Sequence, residues 1–449
     1  MSSSDIIEMK EEEEEEGASA SASASSAPAL YGDVLESILS NVPLVHLASA
    51  SLVSTEWKEA VWWSLRHLNP AKPWLFMHGQ GTRTPYSTST RAYDSRSPQA
   101  WMQIQRPSIK HVSTLRSAHS GLLYMLSPSR LSFSSDPFHL TWHHADSPFV
   151  WRTDPIVALL GTKLIVAGGG CDFEDDPLAV EIYDLTTQTW GSCEFMPAVL
   201  KDSSASTCLS VATDGRLMFV VQRQFGIMHT FDPESNIWTG PFDLFLRPPP
   251  PPPPTDHHQT VPVLLFCSLI YSSSSSSSNG RLILIGLIDG GGGEGEKDAG
   301  GGKALKLWSV DPESLEKEEI GEMPKEMLEE MLSRKKEGLL EMSSIGASCA
   351  GNWVYIYYNT SSSSSTTEIY VCEMLVKKEG GGCRWRREEI PSSLSSLSSS
   401  SSEKDERRTS SSSMERVVFT CSQVTFDDIN NALRSTPNWK CSPIPLAYS

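Results

Sequence analysis

The sequence predicts a mainly β protein, a six-bladed β-propeller preceded by a small three-helix domain. Short apolar runs separated by glycine-containing turns fill most of the chain after residue 72, whereas residues 30–61 show helical spacing. A motif of Asp followed six or seven residues later by Trp recurs along the β region, and its Trp residues from Trp101 to Trp238 are 41, 48 and 48 residues apart. Repeats of this length, built from short strands, are typical of propellers and related arrays.

Composition and charge narrow the class of protein. The chain has 449 residues, of which 39% are hydrophobic, and a formal net charge of −18. Because an acidic chain is repelled by phosphate backbones, we expect no nucleic-acid partner. We also expect no signal peptide and no membrane association, since no basic segment precedes an apolar run and no apolar run reaches the length of about 20 residues that a span requires.

The cysteines indicate the compartment. There are nine, an odd number, and no two form a C-x-x-C pair. This pattern argues against a disulfide framework and against a zinc cluster, and it favours free thiols in a reducing compartment. We therefore expect a cytoplasmic or nuclear location.

Changes in composition set the expected domain boundaries. Residues 1–28 are mostly Glu, Ser and Ala and are predicted to be disordered, because they cannot bury enough apolar surface to offset the entropy of ordering. A helical domain is expected over 29–69, a propeller over 72–424, and a C-terminal tail with a short helix over 425–449. Tracts of Pro, Ser and Gly interrupt the propeller and are interpreted as loop inserts, although the Pro run 248–254 is also compatible with an SH3-like ligand.

Start and stop signals divide the helical domain. Asp33 is predicted to cap the first helix, with Glu36 three residues later as in a capping box. Pro43 separates the first helix from the second, and Ser54 is predicted to cap the third. Three short helices form a core too small to be stable alone and expose aliphatic surface, so we expect a partner to cover it.

The Asp-to-Trp motif has a physical explanation. Asp, Pro, Ser and Asn form tight turns through hydrogen bonds from side chain to backbone. The Trp then opens the fourth strand of a blade, where its large ring can pack between neighbouring sheets. The segment 416–424 supplies the innermost strand that the first blade lacks, and its return would close the ring. Closure removes the exposed strand edges that invite aggregation.

These repeats resemble the Kelch family. In the third copy, the glycines Gly168 to Gly170 with Tyr183 and Trp190 match the Kelch repeat, and six copies are present in all. A phosphate-binding loop is not indicated by the same glycines, because no helix follows them and no G-K-[ST] occurs.

The segment "LYGDVLESILSNVPLVHLASASLVSTEWKEAV" resembles an F-box. The resemblance implies binding to a Skp-type adaptor, and an amphipathic helical cap docked on the propeller is the alternative interpretation. The residues that the resemblance assigns to adaptor binding are Leu30, Val34, Leu35, Ile38, Leu39, Val42, Pro43, Leu47 and Trp57.

An F-box followed by Kelch repeats is similar to the plant Kelch F-box proteins. This family implies a non-catalytic substrate receptor of an SCF ubiquitin ligase, in which the adaptor joins a cullin and its RING subunit and the propeller holds a protein target. The segment from Trp151 to Leu185 is similar to relatives that target enzymes of phenylpropanoid and flavonoid synthesis. An interaction scaffold without a ligase role is the main alternative.

The loops are expected to recognise the target, because long loops on a rigid scaffold commonly carry binding. In a four-stranded blade, the second-to-third loops and the links between blades share one face, where most of the irregular inserts fall. The candidate target-binding residues in these loops are Arg83, Asp172, Glu174, Asp175, Asp176 and Arg223. The acidic loop is interpreted as solvated or as contacting a basic patch of the target, with weak Ca²⁺ binding as an alternative.

Enzyme chemistry is the least favoured alternative. A copper oxidase of Kelch type would need a site of Tyr, His and Cys, but His143 and His144 alternate sides of a strand and His257 and His258 lie in the Pro-rich loop. No nucleophile with a base can be assigned from spacing. We therefore expect no cofactor, no metal site and no catalytic residue.

Overall fold

The structure is a computed structural model of the chain. The described residues are 32–81, 86, 88–96, 101–105, 113–119, 121–170, 176–201, 203–245, 263–272, 280–289, 302–333, 345–358, 368–375, 382–391, 415–435 and 440–443. Within these ranges, no helix is both long and apolar enough to cross a membrane.

Three helices precede the β region. They are α1 (Asp33–Ser40), α2 (Leu44–Ala50) and α3 (Thr55–Trp63), and α3 continues into a π-helical turn (Ser64–Leu68). Ser54 caps α3 as predicted, since its hydroxyl accepts a hydrogen bond from the amide of Trp57 at 3.3 Å. Among the described residues, two further α-helices follow later, α4 (Lys325–Ser333) and α5 (Phe426–Ser435).

The β region forms six antiparallel sheets, which confirms the predicted six-bladed propeller. The first three blades contain β1 (Pro73–Gly81), β2 (Thr88–Tyr93), β3 (Trp101–Gln105), β4 (Leu115–His119), β5 (Leu122–Ser127), β6 (Arg130–Ser134), β7 (His143–Asp146), β8 (Ile156–Leu160), β9 (Lys163–Ala167), β10 (Val180–Asp184) and β11 (Thr189–Ser192). The last three contain β12 (Leu209–Thr213), β13 (Met218–Gln222), β14 (Ile227–Asp232), β15 (Ile237–Asp243), β16 (Val263–Ser272), β17 (Arg281–Asp289), β18 (Lys303–Val310), β19 (Lys317–Glu322), β20 (Ile345–Ala350), β21 (Trp353–Tyr358), β22 (Glu368–Leu375) and β23 (Gly382–Glu389).

The chain closes the ring with a strand from its C-terminal region. The strand β24 (Glu415–Gln423) pairs antiparallel with β1 along its whole length, from Pro73 opposite Gln423 to Gly81 opposite Glu415. The strand β24 is the innermost strand of the first blade, which is the position predicted for the segment 416–424. A last strand, β25 (Lys440–Pro443), pairs with β3 and gives the first blade a fifth strand that the sequence analysis did not predict.

The repeated Asp and Trp have the roles that the motif predicts. The carboxylate of Asp184 accepts hydrogen bonds from the amides of Thr186 and Thr187, which closes the turn after β10. Tyr183 and Trp190 are cross-strand partners whose rings lie 5.2 Å apart. Such aromatic pairs contribute about 0.5–1.5 kcal/mol beyond the area they bury.

The three consecutive glycines after β9 allow a close approach of two backbones. Gly168 and Gly169 have φ of 61° and 95°, a region that favours glycine. A Cβ on Gly169 would lie 2.6 Å from the carbonyl oxygen of Thr153. Gly170 and Thr153 exchange two backbone hydrogen bonds of 2.8 and 2.9 Å. The link between the second and third blades is thereby held against the third blade.

The propeller has two distinct faces. The first-to-second and third-to-fourth turns of each blade open on one side, which we call the turn face. The second-to-third loops and the links between blades open on the other side, which we call the loop face. The paired residues Pro73 and Gln423 lie at the turn face. The connection from the helical domain to β1 and the connection from β24 to α5 are therefore both at this face.

The helical domain and the propeller share one hydrophobic core. Leu35, Leu44 and Val61 of the helices pack in the same cluster as Trp74 and Phe76 of β1. The helix α5 completes this cluster with Phe426, Ile429 and Ala432, and it packs against α2. The segment 425–449, expected to be a C-terminal tail with a short helix, contributes the helix α5 to the core and the strand β25 to the first blade.

Candidate adaptor-binding surface and loop face

The two apolar stripes of α1 have opposite environments. Leu35 and Leu39 are buried in the shared core, where they pack with the propeller and with α5. Val34 and Ile38, one helical turn apart, are 59% and 46% exposed. Residues four apart lie on the same side of a helix, so Val34 and Ile38 form one apolar strip that faces outwards.

The structure divides the predicted adaptor-binding residues into three groups. Val34 and Ile38 are exposed, while Leu35, Leu39 and Leu47 are buried within the chain, and adaptor contact by these residues stays a prediction. Val42, Pro43 and Trp57 are half-buried, and Leu30 lies outside the described residues. The inner stripe of α1 is buried because the propeller and α5 cover it.

The start of α1 also differs from the prediction. Gly32, with φ of 62°, occupies the capping position, and no side chain accepts a hydrogen bond there. Asp33 is the first helical residue instead of the cap. Asp33 and Glu36 both lie in the first turn of α1, where their negative charges interact favourably with the positive end of the helix dipole.

The helical domain exposes further apolar side chains, which the sequence analysis did not identify. Leu52 and Val53 protrude from the turn between α2 and α3. Trp62 and Trp63 border a groove of about 590 Å³ that Glu59, Arg66 and His67 also line. The adjacent Trp-Trp pair is the sequence feature that corresponds to this groove.

Asp94 and Arg96, in the third-to-fourth turn of the first blade, connect the propeller to the helical domain. Asp94 accepts hydrogen bonds from the amides of Leu44 at 3.1 Å and of Arg96 at 3.0 Å. The guanidinium of Arg96 donates to the carbonyl oxygens of Asn69, Val42 and Leu39 and to the hydroxyl of Ser64, at 2.7–3.2 Å. These contacts satisfy helix-end groups that would otherwise be buried without partners.

Burial perturbs both members of this pair. Desolvation raises the pKa of Asp94, although the amides of Arg96 and Leu44 and the Arg96 charge act in the opposite direction. Desolvation lowers the pKa of Arg96 to about 10, against the stabilising charge of Asp94. Removal of the Asp94 carboxylate would take away the opposite charge that favours the ionised form of Arg96, while the guanidinium would keep its hydrogen bonds to the helical domain.

The predicted target-binding residues are only partly described. Arg83, Asp172, Glu174 and Asp175 lie outside the described residues. Asp176 is exposed on the loop face, and its carboxylate accepts a hydrogen bond from the amide of Leu178 at 3.1 Å.

Arg223 lies at the mouth of the central channel. It follows β13, and its guanidinium donates to the carbonyl oxygens of Leu209 at 2.6 Å and of Ile345 at 2.9 Å. Ile345 begins the innermost strand of the sixth blade, so this side chain spans from the fourth blade to the sixth. The guanidinium also lies 5.6 Å from the ring of Phe266. Desolvation lowers the pKa of Arg223.

Two carboxylates, those of Glu181 and Asp154, hold the links between blades in place on the loop face. The sequence analysis did not identify either of them. Glu181 pairs with Arg152, both nearly fully buried, and accepts a hydrogen bond from the amide of Phe149. Asp154 binds Arg116, Ser204 and Ser206, and so joins the second blade to the link before the fourth. The sequence did contain a signal for these contacts, because the charged residues Arg152 and Asp154 of "WRTDP" stand between two apolar stretches.

The described residues contain no group of three or more His, Cys, Asp or Glu placed to hold a metal ion. His143 stacks on Phe133, whereas the next residue, His144, binds the hydroxyl of Ser132 at 2.9 Å. The two rings therefore have separate partners. His257 and His258 lie outside the described residues.

Comparison with known proteins agrees with this architecture. Residues 30–69 match the F-box domain family. An F-box/kelch-repeat protein of Arabidopsis thaliana is 49% identical over 219 residues, which are 47% of this chain and 55% of the relative. The chain thus spans about half the length of this curated relative. The F-box match, this relative and the six-bladed propeller together make the chain similar to plant Kelch-repeat F-box proteins.

Proposed function

We propose that the protein is a substrate receptor of an SCF-type ubiquitin ligase. Its F-box binds a Skp-type adaptor, and through it a cullin and a RING subunit, while the propeller recruits a protein target. The observation that supports this function most directly is the outward strip of Val34 and Ile38, which lies on the matched F-box and is not covered by the propeller.

The receptor acts by tethering and forms no covalent bond itself. Holding a target beside a ubiquitin carrier raises the local concentration of its lysines, as any linked pair of binding sites does. The shared core and the contacts of Arg96 fix the F-box against the first blade. The loop face is consequently held on the opposite side of the propeller from the F-box.

The target and the location belong to the same proposal. The similarity of the segment from Trp151 to Leu185 to receptors for phenylpropanoid and flavonoid enzymes supports a target of that class. Such targets would be met in the cytoplasm or the nucleus. Proximity labelling with the proteasome blocked should recover an enzyme of this class both with the wild type and with a full-length variant that carries Val34→Asp and Ile38→Asp.

Adaptor capture tests the ligase role. Val34→Asp combined with Ile38→Asp should abolish capture of a purified Skp-type adaptor, because a carboxylate in an apolar contact is costly to desolvate. Both side chains point outwards, so the melting temperature should stay near that of the wild type. Leu35 and Leu39 are unsuitable for this test, since charging them would unfold the shared core.

Val199→Asp is the matched control. Val199 is also an exposed aliphatic residue, but it lies on the loop face, and this variant should capture the adaptor as the wild type does. Unchanged capture by the Val34/Ile38 double variant would contradict the proposal and favour an interaction scaffold without a ligase role.

A further inference from the structure

Two cysteine side chains contact each other in the sixth blade. Cys372 lies in the middle of β22, and Cys383 is the second residue of β23. Cys372 stands opposite Trp385 and Cys383 stands opposite Met374, so the two cysteines are diagonal neighbours on the same side of the sheet. The thiol of Cys372 donates a hydrogen bond to the sulfur of Cys383. The two sulfur atoms therefore already reach each other across the strands.

The two thiols differ in their access to solvent. The Cys372 side chain is fully buried in the hydrophobic cluster that the fifth and sixth blades share. Cys383 is half-buried at the border of the same cluster, in the outermost strand of its blade. Cys383 is therefore the thiol of the pair that a small solute meets first.

The contact also makes the two thiols differ in acidity. The hydrogen bond from Cys372 lowers the pKa of Cys383, although burial acts in the opposite direction. The same hydrogen bond, together with burial, raises the pKa of Cys372. The pair thus loses its first proton from Cys383, while Cys372 keeps its own. Because the thiolate is the reactive form of cysteine, Cys383 is the nucleophile of the pair.

A glycine of the neighbouring blade keeps Cys383 close to its partner. The outermost strands β19 and β23 of the fifth and sixth blades contact each other. A Cβ on Gly321 of β19 would lie 2.8 Å from the Cys383 sulfur, so a larger residue there would collide with the thiol. The Cys383 sulfur thus lies against the backbone of β19 and contacts Cys372 at the same time, which limits its freedom to turn away.

We propose that Cys383 and Cys372 are a peroxide-sensitive thiol pair that closes into a disulfide between β22 and β23. The Cys383 thiolate attacks one oxygen of hydrogen peroxide, the O–O bond breaks, and the hydroxide that leaves takes up a proton to become water. Cys383 is then a sulfenic acid. The Cys372 sulfur attacks the Cys383 sulfur, the S–S bond forms as the S–O bond breaks, and the hydroxyl leaves as a second water with the Cys372 proton. Two thiols are oxidised and one peroxide is reduced.

The position of Cys372 favours the disulfide over further oxidation. A sulfenic acid is oxidised irreversibly unless a thiol captures it, and Cys372 is already in contact with the sulfur that would carry it. In a reducing compartment the pair remains as two thiols and a disulfide formed under peroxide is reversible. Within its blade β23 pairs only with β22, so the bridge would tie an edge strand to its single neighbour. The proposal does not depend on the ligase role.

Peptide mapping of the oxidised full-length protein tests the proposal. The reduced protein is treated with hydrogen peroxide, its remaining free thiols are blocked with a maleimide, and it is digested without reduction. A cross-linked peptide that joins Cys372 to Cys383 should appear, and it should be absent when dithiothreitol is added before the blocking step. This measurement uses the wild type and does not depend on the folding of any variant.

Two variants assign the roles. Cys372→Ser removes the second thiol with little change in size, so Cys383 should stop at the sulfenic acid, which a dimedone probe labels. Cys208→Ser is the matched control, because Cys208 is an exposed cysteine just before β12 and its loss should leave the yield of the Cys372–Cys383 bridge unchanged.

Three results would overturn the proposal. The first is a bridge from either cysteine to a different one, including Cys171, which lies outside the described residues. The second is sulfinic acid on Cys383 while Cys372 remains a free thiol. The third is recovery of both cysteines as free thiols after a peroxide treatment that oxidises the exposed Cys208.

Discussion

The carboxylate of Asp94 accepts a hydrogen bond from the amide of Leu44, at 3.1 Å, and so joins the first blade to the second helix of the F-box. Asp94 occupies the repeated Asp position, and the equivalent Asp232 binds residues of its own turn. In the first blade the same residue both closes its turn and caps a helix of another domain. The repeat has thereby acquired a role in domain docking.

Asp94→Ala should loosen the F-box from the propeller. The change removes the acceptor for the buried amides of Leu44 and Arg96 and the opposite charge near the Arg96 guanidinium, so we expect a loss of about 3 kcal/mol. Hydrogen exchange should show faster exchange of the α2 amides. Asp232→Ala removes a turn contact only and should leave α2 protected; equal exchange of α2 in both variants would contradict the docking role.

The C-terminal helix should be required for a stable F-box. Ile429 is fully buried in the shared core, and Ile429→Ala should cost about 2–4 kcal/mol and lower the melting temperature. The F-box helices should lose hydrogen-exchange protection at the same time. Leu433, on the same helix but 42% exposed, provides the control, and Leu433→Ala should change stability by less than about 0.5 kcal/mol. Similar losses for both variants would argue against α5 as part of the core.

Local repeated signals predicted most of the propeller. The Asp turn and the following Trp act within a single hairpin, as the Tyr183 and Trp190 pair shows, so sequence spacing was enough to find them. The closing strand β24 could be predicted because the first blade lacked an inner strand and one apolar segment remained. The Asp turn and its Trp depend on residues close together in the sequence, and the closing strand follows from counting the strands of each blade.

The features that the sequence did not reveal depend on distant contacts. Which stripe of α1 faces inwards is decided by Trp74 and Phe426, far along the chain, and an apolar spacing cannot distinguish two adjacent stripes. The fifth strand β25 requires a free edge on β3 that becomes visible only in the assembled blade. The contact between Asp94 and Leu44 has the same origin, since its partners are 50 residues apart.

Gly169 should be sensitive to any side chain. Gly169→Ala would place a Cβ 2.6 Å from the Thr153 carbonyl oxygen at a φ of 95°, so steric overlap and backbone strain should together cost about 3 kcal/mol. The link that carries Phe149 should shift, and binding at the loop face should weaken. Gly191 has open space around its Cβ position and should accept Ala with little change in melting temperature. A tolerated Gly169→Ala would show that the link and the third blade do not need this close approach.

Asp154 should make the stability of the loop face depend on acid pH. Burial opposes its ionisation, but hydrogen bonds from Ser204 and Ser206 and the charge of Arg116 outweigh burial and hold the pKa of Asp154 below its ordinary value of 3.8. The folded state therefore releases this proton more readily than the unfolded state. The resulting stabilisation is present above the unfolded pKa and is lost as the pH falls through the folded pKa.

Asp154→Asn, which cannot ionise, measures this contribution. At neutral pH the wild type should be more stable by about 2 kcal/mol, because hydrogen bonds to a charged acceptor are stronger. The difference between the two melting temperatures, recorded from about pH 7 to about pH 3, should stay constant above the unfolded pKa of the carboxylate and narrow as the pH falls below it. Asp176→Asn, at an exposed site on the same face, should parallel the wild type throughout. A difference between Asp154→Asn and the wild type that stays constant down to the lowest pH would mean that the charge of Asp154 does not stabilise the loop face.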